Sequence, residues 1–179
     1  MILSTERLII RRLCDSDYPE FEPTLNDVQK SCLGSGKGFL DWLISQYQNM
    51  DIVNGLISLG MFDMNTNKLI GTVGAGRNDD LHEPEIFYFL LPEYRGHGFV
   101  TEAVSAVTEW ALKNYNIPYL IGTVSVDNIK SQHVLERCGY QYIDTRSLLV
   151  HIKGERYDFK YYRYYSKNYA GQVEDNEMR

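Results

Sequence analysis

The sequence contains few cysteines and no long apolar run, and these absences exclude several classes of protein. Its three cysteines, Cys14, Cys32 and Cys138, are odd in number and far apart, and no two of them form a Cys-x-x-Cys pair. A disulfide framework and a zinc site are therefore not supported. No apolar stretch approaches the roughly 18 residues that a membrane span requires, so we expect no membrane partner.

Basic residues are also in short supply. Lys and Arg number 18 against 24 Asp and Glu, which gives a formal net charge of −6 and a pI of about 5.2. A general nucleic-acid or anionic-membrane binder needs an excess of positive charge to neutralise phosphates, so we expect no nucleic-acid partner. An amine or another cationic substrate fits this charge balance better.

One domain accounts for most of the chain. A length of 179 residues suits a single domain with a core that needs no disulfide. We assign residues 1–166 to this domain and interpret residues 167–179, which are polar and acidic, as a disordered tail. Residues 1–12 carry charged side chains and no long apolar core, so they are not a signal peptide, and we expect a cytoplasmic protein.

Hydrophobic periodicity, glycines and capping residues divide the domain into strands and helices. Strands are predicted at Arg7–Leu13, Leu56–Asp63, Lys68–Gly76, Glu85–Leu91, Leu120–Val126, Tyr140–Asp144, Ser147–Lys153 and Arg156–Tyr165. Helices are predicted at Tyr18–Leu25, Gly38–Gln48, Val100–Asn114 and Ile129–Cys138. No internal repeat and no long linker interrupts this order.

One segment indicates a ligand through its local physics. An apolar run, Ile86–Leu91, stops at Pro92; Arg95, Gly96 and Gly98 follow, and an apolar-periodic helix begins at once. The first N–H groups of such a helix lack intrahelical acceptors, so together with the helix dipole they favour an anion. Glycines bring no Cβ near a phosphate, and Arg95 adds positive charge. On these residues alone, the segment is either a phosphate-binding turn or a plain strand-to-helix turn.

Two motifs, in this order along the chain, resemble those of a known family. The first comprises Glu85, Ile86 and residues 92–103, and the second comprises Asn128, Ser131, Val134, Leu135, Glu136, Gly139 and Tyr140. The match extends to about residues 3–165 through Thr5, Glu6, Arg7, Leu8, Arg11 and Leu13 near the start and Tyr157 and Asp158 near the end. The pattern resembles the GNAT N-acetyltransferases, and most of all their RimJ/RimL-type branch.

This resemblance implies an α/β (α+β) fold, a mixed, mostly antiparallel sheet of roughly six or seven strands flanked by helices. Two central parallel strands, here Glu85–Leu91 and Leu120–Val126, would splay apart and admit the pantetheine of acetyl-CoA. The diphosphate would lie on the amides of Gly96–Thr101, and a main-chain N–H of the strand Phe87–Leu90 would hold the acetyl carbonyl. The implied cofactor-binding residues are Phe87, Tyr88, Phe89, Leu90, Arg95, Gly96, His97, Gly98, Phe99, Val100, Thr101, Asn128 and Ser131. The resemblance implies coenzyme A as product and no metal, and it leaves a homodimer as one possible assembly.

The chain departs from the family pattern at two positions. The signature would end on Gly or Ala at position 100, where this chain has Val100. A backbone amide remains available there, so we expect diphosphate binding with a more crowded turn. Many members carry a tyrosine acid seven residues after the asparagine, and here that position is Leu135.

The chemistry needs a base and an acid, because an amine must be neutral before it attacks a thioester and the leaving thiolate must be protonated. Glu85, on a splayed strand, is the candidate base or amine-orienting group; the alternative is a solvent-facing strand carboxylate. Ser131 is the candidate donor on the thiol side, and the alternative is a capping serine. Asn128 is either a cofactor ligand or a pure helix cap. His97 either touches phosphate or is a solvated loop residue.

We therefore expect an N-acetyltransferase that moves acetyl from acetyl-CoA directly to a primary amine. The acceptor is either a protein N-terminal α-amine or a small-molecule amine. The alternative is an acetyl-CoA-binding regulatory or interaction module with a degenerate active site, which Leu135 in place of the tyrosine makes conceivable.

Overall fold

The fold comes from a computed structural model that describes residues 2–150 and 154–167. Residues 168–179, which make up most of the predicted tail, lie outside the described residues, as do residues 151–153. The strands within the described part are β1 (Ile2–Ser4), β2 (Leu8–Arg12), β3 (Leu56–Asp63), β4 (Leu69–Arg77), β5 (Pro84–Leu90), β6 (Tyr119–Ser125), β7 (Gln141–Val150) and β8 (Glu155–Tyr165). The α-helices there are α1 (Tyr18–Phe21), α2 (Asp27–Ser31), α3 (Gly36–Gln46), α4 (Phe99–Asn114) and α5 (Ile129–Arg137).

The eight strands form one sheet in the order β1-β2-β3-β4-β5-β6-β8-β7. Every neighbouring pair is antiparallel except β5 and β6, which run parallel. This parallel pair meets at one register position, Glu85 opposite Ile121, whereas β5 pairs with β4 along the whole of Pro84–Leu90. The two central strands therefore separate towards their carboxyl ends and leave a V-shaped gap in the sheet. The expected mixed, mostly antiparallel sheet with splayed central strands is present.

Three carboxylates join the two halves of the sheet at the closed end of this gap. All three lie on β5 or in the loop before it, and their partners lie on β6, β7 and β8. Asp80 accepts from the Leu149 N–H at 3.1 Å, Glu83 from the Tyr119 and Tyr161 hydroxyls at 2.8 and 2.9 Å, and Glu85 from the Thr123 N–H at 2.9 Å.

Helices α4 and α5 cover one face of the sheet. The predicted apolar stripe of α4 is confirmed, because Ala103, Val104, Val107 and Ala111 are all fully buried. On α5, Leu135 is only 1% exposed. A Cβ placed on Gly122 of β6 would lie 2.7 Å from the Leu135 Cδ1, so glycine is required for this close approach. None of the helices in the described part is long and apolar enough to cross a membrane.

The prediction of separate strands at Tyr140–Asp144 and Ser147–Lys153 is wrong. They form the single strand β7, whose register against β8 shifts between Tyr142 and Asp144. A bulge at this point changes the alternation of side chains without ending the strand, which is why the sequence reads as two segments. Residues 151–153 of the second predicted strand lie outside the described residues.

Three other elements differ from expectation near the N-terminus. The predicted helix Tyr18–Leu25 is α1 followed by a 3-10 turn over Glu22–Thr24, since Pro23 supplies no N–H to continue an α-helix. β1 and α2 were not predicted at all. With β1 added, the sheet has eight strands, where the family resemblance implied six or seven.

Candidate active site

The turn between β5 and α4 has the geometry of an anion-binding site. Gly96 and Gly98 have φ values of +86° and +81°, which side chains rarely tolerate. The N–H groups of residues 96–101 donate no hydrogen bond to another described residue. They lie at the positive end of a 16-residue helix, so a phosphate placed on them would satisfy unpaired donors and meet a favourable dipole.

An ion pair from the segment between β1 and β2 holds this turn. Glu102, in the first turn of α4, accepts the Thr5 hydroxyl at 2.5 Å and the Arg7 N–H at 2.8 Å, and its other oxygen lies 2.7 Å from the Arg7 guanidinium. Arg7 also donates to the His97 carbonyl at 2.7 Å and lies over the Phe99 ring. Burial opposes ionisation of Glu102, but the hydrogen bonds from Thr5 and Arg7 outweigh it and lower the pKa of that carboxyl.

A cavity of about 480 Å³ begins at the turn and extends along the open side of β5. Its walls are the second half of β5, the turn, the first residues of α4 and one face of α5. The residues that line it are Tyr88, Phe89, Leu90, Arg95, Gly96, Gly98, Phe99, Val100, Thr101, Asn128, Lys130, Ser131, His133, Val134 and Arg137.

Glu85 lies where β5 and β6 part. One carboxylate oxygen accepts both the N–H and the hydroxyl of Thr123, at 2.9 and 2.5 Å, and the other accepts the Asn78 side-chain amide at 2.7 Å. Burial raises the pKa of Glu85, and these hydrogen bonds offset the rise only in part. Glu85 is therefore partly buried and hydrogen-bonded through both oxygens, and its role as base or amine-orienting group stays a prediction.

A second cavity, of about 250 Å³, has Glu85 in its wall and shares no lining residue with the first. Its other polar residues lie on and after β4, and its apolar residues come from β3, β5, β7 and β8. The lining consists of Leu56, Gly76, Arg77, Asn78, Asp79, Asp80, Glu85, Phe87, Thr123, Leu148, Leu149, Val150 and Phe159. The two cavities thus lie at different parts of the same splayed strand.

Ser131 and Tyr88 come together across the larger cavity. The Tyr88 hydroxyl, from β5, donates to the Ser131 carbonyl of α5 at 3.2 Å. Burial raises the pKa of Tyr88 to about 12. Asn128 is the cap of α5, since its side-chain oxygen accepts the Ser131 N–H at 3.2 Å. Asn128 thus occupies the capping position, and the role of Ser131 as thiol-side donor stays a prediction.

The structure brings nearly all of the predicted cofactor residues to one cavity. Eleven of the thirteen line it, from Tyr88 to Ser131. Phe87 lines the second cavity instead. His97 lines neither cavity; its carbonyl accepts from Arg7 and its ring lies near Phe99.

Sequence reasoning missed several residues around these cavities. Lys130, His133 and Arg137 recur at helical spacing, a signal that could have placed them on one face of α5. The Tyr88 hydroxyl could have been found from strand alternation. No local signal links Arg7 to Glu102, which follows it by 95 residues. Within the described residues no group of three or more His, Cys, Asp or Glu side chains could hold a metal ion.

Comparison with known proteins agrees with this geometry. Residues 7–141 match the family model described as an acetyltransferase (GNAT) domain. The uncharacterized N-acetyltransferase YoaA of Bacillus subtilis (strain 168) is 28% identical over 167 residues, which cover 90% of this chain and 94% of that protein.

Two solved structures share the fold. The ribosomal-protein-S5-alanine acetyltransferase from Vibrio fischeri is 20% identical, with a TM-score of 0.74, and the alignment covers 94% of this chain and 98% of that chain. RimL, a ribosomal L7/L12 alpha-N-protein acetyltransferase in complex with coenzyme A, is 15% identical, with a TM-score of 0.72 and coverage of 92% and 98%.

A splayed sheet below an anion-binding turn is the architecture of an acyltransferase that takes its acyl group from a coenzyme A thioester. The chain belongs to the GNAT acetyltransferase family. It is an acetyl-CoA-dependent N-acyltransferase.

Proposed function

We propose that the protein transfers acetyl from acetyl-CoA directly to a primary amine that enters through the cavity beside Glu85. One observation carries this proposal: β5 pairs with β6 at a single position, so a gap opens between the two strands beyond it. The larger cavity, with the anion-binding turn, lies along one part of β5. The second cavity, with the Glu85 carboxylate in its wall, lies along another part of the same strand. Donor and acceptor can thus approach the same strand from different sides.

The residues of the larger cavity fit coenzyme A. The unpaired N–H groups of Gly96–Thr101 and the Arg95 side chain would hold the diphosphate. Val100 leaves its amide available while its side chain packs against the core. Along Phe87–Leu90, the edge that faces the gap has no strand partner beyond Glu85, so a main-chain N–H there would stabilise negative charge on the acetyl oxygen. When bound, acetyl-CoA supplies the activated thioester.

Glu85 is the proposed base or amine-orienting group. An α-amine with a pKa of about 8 is about one-tenth neutral at pH 7, whereas a lysine amine with a pKa of about 10.4 is neutral in fewer than about one molecule in a thousand. A carboxylate whose pKa burial has raised accepts a proton from an ammonium more readily than an ordinary one. Thr123 and Asn78 hold its orientation, which reduces the reorganisation needed at the moment of attack.

Ser131 is the proposed donor to the leaving thiolate, and the structure adds Tyr88 as a second candidate. Leu135 cannot take this part because its side chain is apolar and buried against Gly122. The Tyr88 hydroxyl contacts Ser131 within the cavity. Either hydroxyl can donate a hydrogen bond to developing negative charge on sulfur.

We propose a protein N-terminal α-amine as the first acceptor to test. The larger neutral fraction of an α-amine at pH 7 favours it, and two proteins of this fold are named as ribosomal-protein acetyltransferases. A small-molecule amine is the second class, favoured by the limited volume of the cavity beside Glu85.

Thiol release from acetyl-CoA, measured across a panel of N-terminal peptides, polyamines and amino-acid derivatives, tests the proposal. Each active acceptor is checked by mass spectrometry for a gain of one acetyl group on nitrogen. Peptides blocked at the N-terminus, with and without lysine, separate α-amine from side-chain acetylation. Acetyl-CoA binding without turnover on the whole panel would overturn the proposal and favour a cofactor-binding module.

A further inference from the structure

The α5 wall of the larger cavity carries two positive side chains with a histidine between them. Lys130, His133 and Arg137 are spaced by three and four residues, so they lie on one face of the helix, and all three line the cavity. Lys130 and Arg137 are seven residues apart, which is about 10 Å along the axis. Their long side chains can therefore converge on one anion between them.

These charges are not neutralised within the described residues. No described carboxylate lies within 4 Å of the Lys130 or Arg137 nitrogens. The acidic residue of the same helix, Glu136, faces β8, where it accepts the Tyr162 hydroxyl at 3.2 Å. In a chain with a net charge of −6, a cavity wall with two unneutralised positive side chains beside a histidine indicates an anionic ligand.

The basic wall stands beside the anion-binding turn. At the end of α5 the Cys138 thiol donates to the Thr101 carbonyl, in the first turn of α4, at 3.4 Å. Arg137, the neighbour of Cys138, is thus the basic residue of α5 closest in sequence to this contact. The turn and Arg95 can bind one negatively charged group of a ligand, and the α5 wall can bind a second.

Coenzyme A has two such groups. Its diphosphate and its 3′-phosphate are attached to the same ribose, and a phosphate monoester carries about two negative charges at pH 7. On the basis of the proposed function, we propose that Lys130, His133 and Arg137 form a subsite for the 3′-phosphate. The enzyme therefore selects coenzyme A thioesters over those of 3′-dephospho-coenzyme A.

Calorimetry with coenzyme A and with 3′-dephospho-coenzyme A tests this subsite. The wild type should bind coenzyme A at least about tenfold more tightly than 3′-dephospho-coenzyme A, because one charge-assisted contact contributes about 1.5 kcal/mol. The preference should shrink as salt is raised, because the contact is screened at the cavity mouth. Equal affinity for the two ligands would overturn the subsite and leave the proposed function intact. Binding of neither ligand would instead overturn the proposed function.

Variants then assign the selectivity to residues. Arg137→Ala and Lys130→Ala should each reduce the ratio of the two dissociation constants and leave the affinity for 3′-dephospho-coenzyme A nearly unchanged. Lys113→Ala, which removes an exposed charge at the end of α4, is the control and should keep the wild-type ratio. Alanine favours a helix, so the variants should fold, and circular dichroism checks this. If the Arg137 and Lys130 variants keep the wild-type ratio of the two dissociation constants, these residues do not bind the 3′-phosphate.

Discussion

Placing a carboxylate in the turn at Gly98 should weaken acetyl-CoA binding through charge alone. Gly98 has φ of +81° at the start of α4, and a Cβ added there would meet only the Arg7 guanidinium, at 3.4 Å, an ordinary contact distance. Steric exclusion is therefore small, and the main cost to the fold is backbone strain. Asn and Asp tolerate this conformation better than other residues. Gly98→Asp and Gly98→Asn form a matched pair with the same strain and shape but different charge.

The size of the charge effect follows from Coulomb's law. If the carboxylate lies about 6 Å from a diphosphate with two negative charges, the repulsion in water is about 1.4 kcal/mol, or about tenfold in the dissociation constant. Bulk water is the appropriate medium for a conservative figure, because the turn lies at the cavity mouth and Arg7 stands beside the new side chain.

Isothermal titration calorimetry of both variants with acetyl-CoA, at low and high salt, measures the ratio of their dissociation constants. Gly98→Asp should bind at least about tenfold more weakly than Gly98→Asn at low salt, and the difference should shrink as salt screens the charges. Thermal unfolding of the pair without ligand checks that both remain folded. Equal affinities of the Asp and Asn variants would show that no phosphate lies at this turn, and the assignment of the whole cavity to coenzyme A would be wrong.

Four further substitutions, at Glu85, Tyr88, Ser131 and Arg7, examine the proposed chemistry and the support of the turn. Glu85→Gln should lower kcat/KM by about 100-fold or more. In the wild type, the plot of kcat/KM against pH should rise at a pKa above that of an ordinary carboxyl, and the variant should lack this rise. If the variant keeps it, Glu85 is not the general base. Because the pKa of Glu85 is raised in the fold, wild-type stability should fall as pH rises through it, and urea unfolding of the Gln variant should lack this decline. Tyr88→Phe and Ser131→Ala are compared by kcat and acetyl-CoA affinity: the residue that donates to sulfur should lower kcat about tenfold or more with little change in affinity, and a variant with unaltered kcat is excluded as the donor. Arg7→Ala should lower Tm by about 2–4 °C, for a loss of about 1 kcal/mol, and weaken acetyl-CoA binding, with partial recovery in Arg7→Lys. Unchanged affinity would mean that the turn needs no support from Arg7.

The local parts of the site were predictable, because their physics is contained in neighbouring residues. The strand end, Arg95, the two glycines and the helix start occur within a few positions, and this arrangement produces a turn with unpaired N–H groups in the structure. Asn128 as a cap follows equally from its position before a helix. The role of Ser131 could not be resolved from sequence, because a serine in a first helical turn can bond to the backbone or line a cavity, and only the tertiary structure places it in the cavity wall.

The open gap itself depends on contacts between distant segments, which a single sequence does not reveal. Parallel strands normally pair along their length, and the residues of β5 and β6 give no sign that their pairing stops after Glu85. In the fold, β5 and the loop before it are anchored to the far half of the sheet by side-chain carboxylates, which bond to residues 36 to 78 positions away. Glu85 occupies the Thr123 N–H that a strand partner would otherwise receive, and this ends the ladder. The Glu85 carboxylate thus occupies the backbone of β6 and also lines the second cavity, where we propose that the amine enters. The shape of the site and its proposed base therefore depend on the same residue.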